Sequence, residues 1–249
     1  LSGTPASLVA EPRLAESRFA PGILYAGTEG GHVWVTRNDG TQWTDVSAGL
    51  PRKWVTRVVA SRYDVGTVYV SMTGYREDDV TSYLYRSTDF GATWMAISSN
   101  LPAESINVVS EDPKRPGLLY VGTDAGVYVS FDRGAAWLSL CADLPTTPVM
   151  DLVVNQREEE IVSATHGRSL FLLDARPVQA LSDAVRASDL HLFDVRPVRL
   201  TWQPGRDVPP QPPRGRALLH VWLKAASELK IGISDADTRV VRTLSVRGA

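Results

Sequence analysis

The sequence has one cysteine, Cys141, and three methionines. A single thiol excludes an internal disulfide and a cysteine-based metal cluster. Cys141 lies in an apolar, outer-strand pattern, where an inert buried thiol is expected rather than a nucleophile. Charge of either sign barely dominates: 26 Lys and Arg against 28 Asp and Glu leave a formal charge of −2. That gives no electrostatic case for nucleic acid or an anionic membrane surface as partner. No apolar run approaches the roughly 18 residues needed to span a bilayer. No signal-peptide pattern follows Leu1, and the chain is expected to be a piece of a longer one. A phosphate-binding glycine loop, a Ser-His-Asp order and a metal-ligand spacing are all missing, so no cofactor or metal is expected.

What is present is a repeated octapeptide. Ser87 to Trp94 reads Ser-Thr-Asp-Phe-Gly-Ala-Thr-Trp. Thr36 to Trp43 and Ser130 to Trp137 share its pattern, Ser/Thr-x-Asp/Asn-x-Gly-x-x-Trp. Each copy lies between two strand-like runs, so it reads as a hairpin turn. Asn38, Asp89 and Asp132 are placed to accept backbone N–H groups a few residues on. Gly40, Gly91 and Gly134 supply a position where φ > 0 is cheap. Thr36, Ser87 and Ser130 can hydrogen-bond locally, and Trp43, Trp94 and Trp137 can pack under the turn. The alternative, a carboxylate acting as catalyst or metal ligand, is the weaker reading of these turns.

A second marker fixes the period. Seven residues after each box Trp comes Leu and then Pro: Leu50-Pro51, Leu101-Pro102 and Leu144-Pro145. Successive marks are 51 and then 43 residues apart. Periods of about 40 to 50 residues with several short strands each indicate propeller blades. The predicted class is therefore all-β: a β-propeller with about four blades of four antiparallel strands, over residues 5–49, 50–100, 101–143 and 144–174. The first blade's inner strand is expected at 7–10. In the fourth copy Asp174 takes the box Asp position, but Arg176 replaces the Gly and no Trp follows, as in a degenerate terminal repeat. Further blades are expected upstream of Leu1.

After Asp174 the pattern changes. Residues 175–202 read as a closing connector, with a short helix at 178–188 and strands at 191–195 and 198–200 that can supply the fourth blade's outer edge. Residues 203–215 carry five prolines and read as a stiff linker. Beyond it, 217–223, 229–234 and 239–244 read as strands, the last two flanking the turn residues Asp235 to Thr238. Three strands are too few for a sandwich core.

On these residues the chain resembles the BNR or Asp-box repeat families, which include sialidase-like and xyloglucanase-like glycosidases, sortilin-type receptors and their bacterial relatives. Leu229 to Ala236 with Val241 to Leu244 resembles the start of a FlgD-type Ig-like module, over 216–249. The resemblance covers most of the chain, and its motifs specify fold rather than activity. It implies a secreted or periplasmic protein that binds a glycan, peptide or protein.

Topology selects the binding face. In a four-stranded blade the boxes are loops between the third and fourth strands. Ligands are expected on the opposite face, fed by the Leu-Pro loops and the loops between second and third strands. Among the latter, blade two is longest: Thr73 to Ser87 spans fourteen residues, against seven from Thr123 to Ser130. An insertion on one face of a repeat often marks the binding face, although a solvated loop that drifted in length reads the same way. Tyr75 and Arg76 in it can contact a sugar or peptide, and Asp79 lies beside them. Trp54, in a Leu-Pro loop, can stack on a sugar or be buried. His166 and Arg168 flank Gly167 in blade four's loop, where they can read an anionic or hydroxyl-rich ligand or close the ring. Candidate carboxylates on the same face are Glu29, Asp79, Glu104 and Asp124; Glu29 and His32, in blade one's loop, are weaker candidates, and Lys53 lies beside Trp54 in its Leu-Pro loop. Glycoside hydrolysis needs two carboxylates roughly 5 to 10 Å apart, and no pair can be matched, so the catalytic residues stay unassigned. A ligand-binding scaffold is the first reading and a glycoside hydrolase with catalytic residues partly in other blades is the second.

Overall fold

The computed structural model describes residues 13–140, 144–198 and 217–247. Cys141, the expected inner strand at 7–10 and the proline-rich stretch lie outside them. The chain divides into two compact units, Leu1–Ala175 and Arg176–Ala249.

The first unit is a series of antiparallel sheets, each built from strands in sequence order. Blade one comprises β1 (Arg13–Glu16), β2 (Leu24–Gly27), β3 (Val33–Thr36) and β4 (Thr44–Asp45). Its inner strand is thus Arg13–Glu16, paired with β2. Blade two holds β5 (Trp54–Ala60), β6 (Val68–Gly74), β7 (Asp79–Ser87) and β8 (Met95–Ala96). Blade three holds β9 (Ile106–Glu111), β10 (Leu119–Thr123), β11 (Val127–Ser130) and β12 (Leu138–Ser139). Blade four has three strands among the described residues: β13 (Val149–Asn155), β14 (Glu160–Thr165) and β15 (Leu170–Asp174).

The core lies between blades. The second strands of blades two and three, β6 and β10, are rich in β-branched and aromatic residues and buried throughout, which suits a central strand. Tyr25, Val33 and Val35 of blade one pack on Val55, Val58, Val68 and Val70 of blade two. Tyr69, Leu84 and Ile97 of blade two pack on Ile106, Val109, Leu119 and Val121 of blade three. A Cβ on Gly122 would come 2.6 Å from Val149, so that glycine lets blade four's inner strand close onto blade three.

The boxes form these contacts' outer fasteners. Ser87 Oγ donates to Asp89 Oδ1 at 2.7 Å and accepts the Gly91 N–H at 2.8 Å. Asp89 accepts the Thr93 hydroxyl at 2.6 Å and its N–H at 2.9 Å. These bonds, the Thr93 hydroxyl first, draw the Asp89 carboxyl down to about 2. Ser130, Asp132, Gly134 and Ala136 repeat the pattern, and Thr36, Asn38, Gly40 and Gln42 do so with an amide oxygen in place of the carboxylate. The tryptophans do more than pack under their own turns. Trp94 Nε1 donates to the Val46 carbonyl of blade one at 2.7 Å, and Trp137 Nε1 to the Ile97 carbonyl of blade two at 2.7 Å. The boxes of blades two and three are each bolted to the blade before them.

The second unit contains α1 (Arg176–Ala180), α2 (Asp183–Ala187), β16 (Leu190–Leu192), β17 (Val221–Leu223), β18 (Glu228–Ser234) and β19 (Val240–Arg247). The single expected helix is two short ones, broken where Ser182 caps α2 by accepting the Val185 N–H. Strand β16 pairs with β17 rather than extending the fourth sheet. Strands β18 and β19 form a hairpin whose turn is held by Asp235, which accepts the N–H groups of Asp237 and Arg239.

Candidate functional site

The face opposite the boxes is built by three loops where blades one and two meet. The first is Thr28–His32, between β2 and β3. The second, Arg52 to Trp54, leads into β5, and the Val55 N–H donates to the Thr28 carbonyl at 3.1 Å. Gly31, at φ +77°, allows this approach: a Cβ there would lie 2.7 Å from the Lys53 nitrogen. The third is the blade-two insertion. It is shorter as a loop than the sequence suggests, because β7 starts at Asp79 and Gly74 pairs with Asp79 across a register shift. Only a 3-10 turn, Tyr75–Glu77, and Asp78 (φ +55°) cap the hairpin.

Ion pairs pin that hairpin to its neighbours. Lys53 Nζ donates to Glu77 Oε2 at 2.5 Å and lies 2.8 Å from Asp79 Oδ2. The Tyr83 hydroxyl also donates to Asp79, at 2.7 Å. The hydrogen bond from Lys53, then those from Tyr83 and Thr81, hold the Asp79 carboxyl well below the usual carboxylate range. Asp79 and then Glu77 raise the Lys53 ammonium correspondingly. Arg76 lays its guanidinium 4.0 Å over the Trp54 ring and reaches Glu29 at 3.3 Å. Beside them Arg52 donates to His32 Nε2 at 2.5 Å, and His32 Nδ1 donates to Asp45 Oδ2 at 2.8 Å. Burial pushes the Asp45 carboxyl up, but hydrogen bonds from Ser47 and His32 outweigh it, and the net shift is downward. The Tyr75 ring is 70% exposed above this network.

Of the residues expected in a site, Trp54, Tyr75, Arg76 and Asp79 therefore come together, with Glu29, His32 and Lys53. Trp54 is partly buried under Arg76 rather than free. Asp124 sits apart, on blade three, where it accepts Asn107 Nδ2 at 2.9 Å. His166 and Arg168 are exposed on blade four. The His166 N–H donates to Pro148 at 2.8 Å, and neither side chain has a hydrogen bond or ion pair among the described residues. A second polar network escaped sequence reading. Where first strands lead into second ones, buried Glu111 at the end of β9 accepts from Ser61, the Arg62 N–H and Tyr69, while buried Asp112 accepts from Tyr120 at 3.0 Å. Burial raises the Glu111 carboxyl. Its signal was a tyrosine recurring at one position of the second strands: Tyr25, Tyr69 and Tyr120.

The chemistry available differs between the two networks. A general acid for glycoside cleavage needs a raised carboxyl beside the bond. The exposed cluster offers Asp79 held low, and the raised carboxyl, Glu111, is buried by its own hydrogen bonds. No group of three or more His, Cys, Asp and Glu among the described residues is placed to hold a metal ion. None of their helices is long and apolar enough to cross a membrane.

No family model and no curated protein matches this chain. Solved structures do. The GH74 xyloglucanase from Xanthomonas campestris aligns with 66% of this chain and 29% of its own, at 15% identity and a TM-score of 0.50. An ancestral GH74 enzyme aligns with 65% of this chain and 22% of its own, at 14% identity and a TM-score of 0.54. The extracellular domain of a B. thetaiotaomicron protein, described as a one-component system, aligns with 64% and 20%, at 15% identity and a TM-score of 0.50. The fold is a β-propeller. The chain spans less than a third of the length of each of these structures. Identities this low speak for the fold alone.

Proposed function

We propose that the chain is an extracytoplasmic propeller scaffold that binds a glycan or peptide on the face formed by the Thr28–His32, Arg52–Trp54 and Tyr75–Glu77 loops. The observation that carries this reading is the pinned blade-two hairpin. Lys53, Arg76 and Glu29 hold an insertion that projects an exposed Tyr75, so its ordering cost is met before a ligand arrives. A rigid aromatic over a frame of paired charges suits a ligand with both apolar faces and polar groups. The extracytoplasmic location rests on the resemblance carried by the boxes.

A combined glycan and peptide array probed with the intact chain tests the reading. Binding should appear on one class and fall at least about tenfold for Tyr75→Ala, with His166→Ala unchanged. Turnover of xyloglucan oligosaccharides by the same chain, abolished by replacing one carboxylate on this face, would instead establish a glycosidase.

A further inference from the structure

The boxes are alike, but the two junctions that their tryptophans fasten are not. Between blades two and three, side chains on the outer edge of blade two reach the turn of the third box. Arg86 donates to the Arg133 carbonyl at 3.2 Å, Ser99 Oγ to the Ala135 carbonyl at 2.9 Å, and Asn100 Nδ2 to the Trp137 carbonyl at 2.8 Å. Strand register and the Leu-Pro marks put Val35, Ala48 and Gly49 of blade one at the matching places. None of these three has a side-chain donor, so the first junction lacks the bridges. In their place is a groove of about 570 Å³ between the first two boxes.

The two walls of this groove differ in hydrogen-bonding character. On the blade-two wall the N–H groups are spent inside the turn. Those of Asp89 and Gly91 go to Ser87 Oγ, that of Phe90 to the Gly66 carbonyl, and that of Ala92 to the Asp89 carbonyl. What this wall still offers are acceptors: the Asp89 carboxylate and the carbonyls of Phe90 and Ala92, the counterparts of Arg133 and Ala135. The blade-one wall offers donors. Arg37 lays its guanidinium 4.2 Å over the Phe90 ring and has no ion pair among the described residues. Asn38 uses Oδ1 to accept from the Thr36 hydroxyl and the Gln42 N–H, which leaves its amide N–H groups for the groove. Gln42 adds a second amide, and Val35, Val46 and Ala48 give an apolar floor.

A bound molecule must therefore donate to one wall, accept from the other and lay an apolar face on the floor. An extended peptide fits poorly, because each edge of a strand presents both N–H and C=O groups, and the carbonyls would meet only acceptors. Hydroxyls fit both walls, since each donates and accepts and its hydrogen turns to suit the partner. A sugar ring carries hydroxyls around its rim and C–H groups on its faces. The Asp89 carboxylate favours a neutral sugar over an acidic one.

We propose that the groove between the first two boxes is a second binding site, for a neutral saccharide whose hydroxyls link the Phe90 and Ala92 carbonyls to Arg37, Asn38 and Gln42. The Tyr75→Ala chain, in which the opposite face is disabled, tests this on an array of neutral gluco-, galacto-, manno- and xylo-oligosaccharides. It should keep binding to one of these configurations. Adding Arg37→Ala, which removes a charged donor, should weaken that binding at least about tenfold, and Gln42→Ala about two- to tenfold. Ala48→Trp should abolish it by filling the groove. Ala48 is exposed, so the fold should survive. Ala48→Ser repeats the test without bulk: it gives the Ala92 carbonyl the partner that Ala135 has, and should also weaken binding. Absence of binding to every oligosaccharide overturns the proposal, as does binding that outlasts Ala48→Trp. Capture of peptides in place of sugars by this groove overturns it too. Failure here leaves the first ligand face standing, because that face is read by Tyr75→Ala in the otherwise unaltered chain.

Discussion

At the scale of single residues, partners decide more than burial does. Tyr25, Tyr69 and Tyr120 stand at one position of successive second strands and are all buried. The Tyr69 hydroxyl finds Glu111 at 3.2 Å, on the next blade. The matching residue for Tyr25 is Ala60, and the Tyr25 hydroxyl is buried without a partner. Burial pushes that phenol up to about 12, with Arg37 opposing it. An unsatisfied buried hydroxyl costs roughly 1–3 kcal/mol, and a satisfied one returns about 1 kcal/mol. Tyr25→Phe should therefore leave stability unchanged or raise it by up to about 1 kcal/mol. Tyr69→Phe should lower it by about 1–2 kcal/mol, because Glu111 loses a donor. Urea denaturation of the two variants separates the cases, and equal losses would refute the assignment.

At the scale of elements, the box is a turn and a fastener at once. A Cβ on Gly91 would lie 2.7 Å from Val46 of blade one, and one on Gly134 2.7 Å from Ile97 of blade two. Gly40 adopts the same left-handed φ but meets no neighbouring blade. Gly40→Ala should cost only the backbone term of about 1–2 kcal/mol. Gly91→Ala should cost about 1–3 kcal/mol more, through overpacking. Thermal melts in that order would support the division of roles. The turn half was legible in the sequence, because Ser87, Asp89 and Gly91 act within five residues. The fastening half was not, because the acceptors Val46 and Ile97 lie 48 and 40 residues from their tryptophans and show only backbone carbonyls. The exposed cluster divides the same way. Loop length singled out Tyr75 and Arg76, but the pairing of Lys53 with Glu77 and Asp79 depends on a hairpin that folds back at Asp78, which no local spacing announces.

At the scale of the whole chain, the inner strands speak to each other across an intervening blade. Arg57 and Asp151 are 94 residues apart and meet at 2.6 Å, both partly exposed. A double-mutant cycle with Arg57→Ala and Asp151→Ala should return a coupling of about 0.5–1 kcal/mol, diminished by added salt. Zero coupling would mean the pair is incidental to how blades two and four are held. Period, strand order and the Leu-Pro marks made the propeller readable from sequence alone, because each repeats. Blade one's inner strand at Arg13–Glu16 was not readable because no Leu-Pro mark precedes Arg13 to set its start, and the pairing of β16 with β17 was not because it has no second copy to align.

The direction of the indole bonds has one more outcome. Trp94 and Trp137 reach only toward residues made earlier in translation. Blades two and three thus find their anchorage already waiting as they leave the ribosome, and this part of the arc can set from its amino end like courses of brick, each laid on the one beneath.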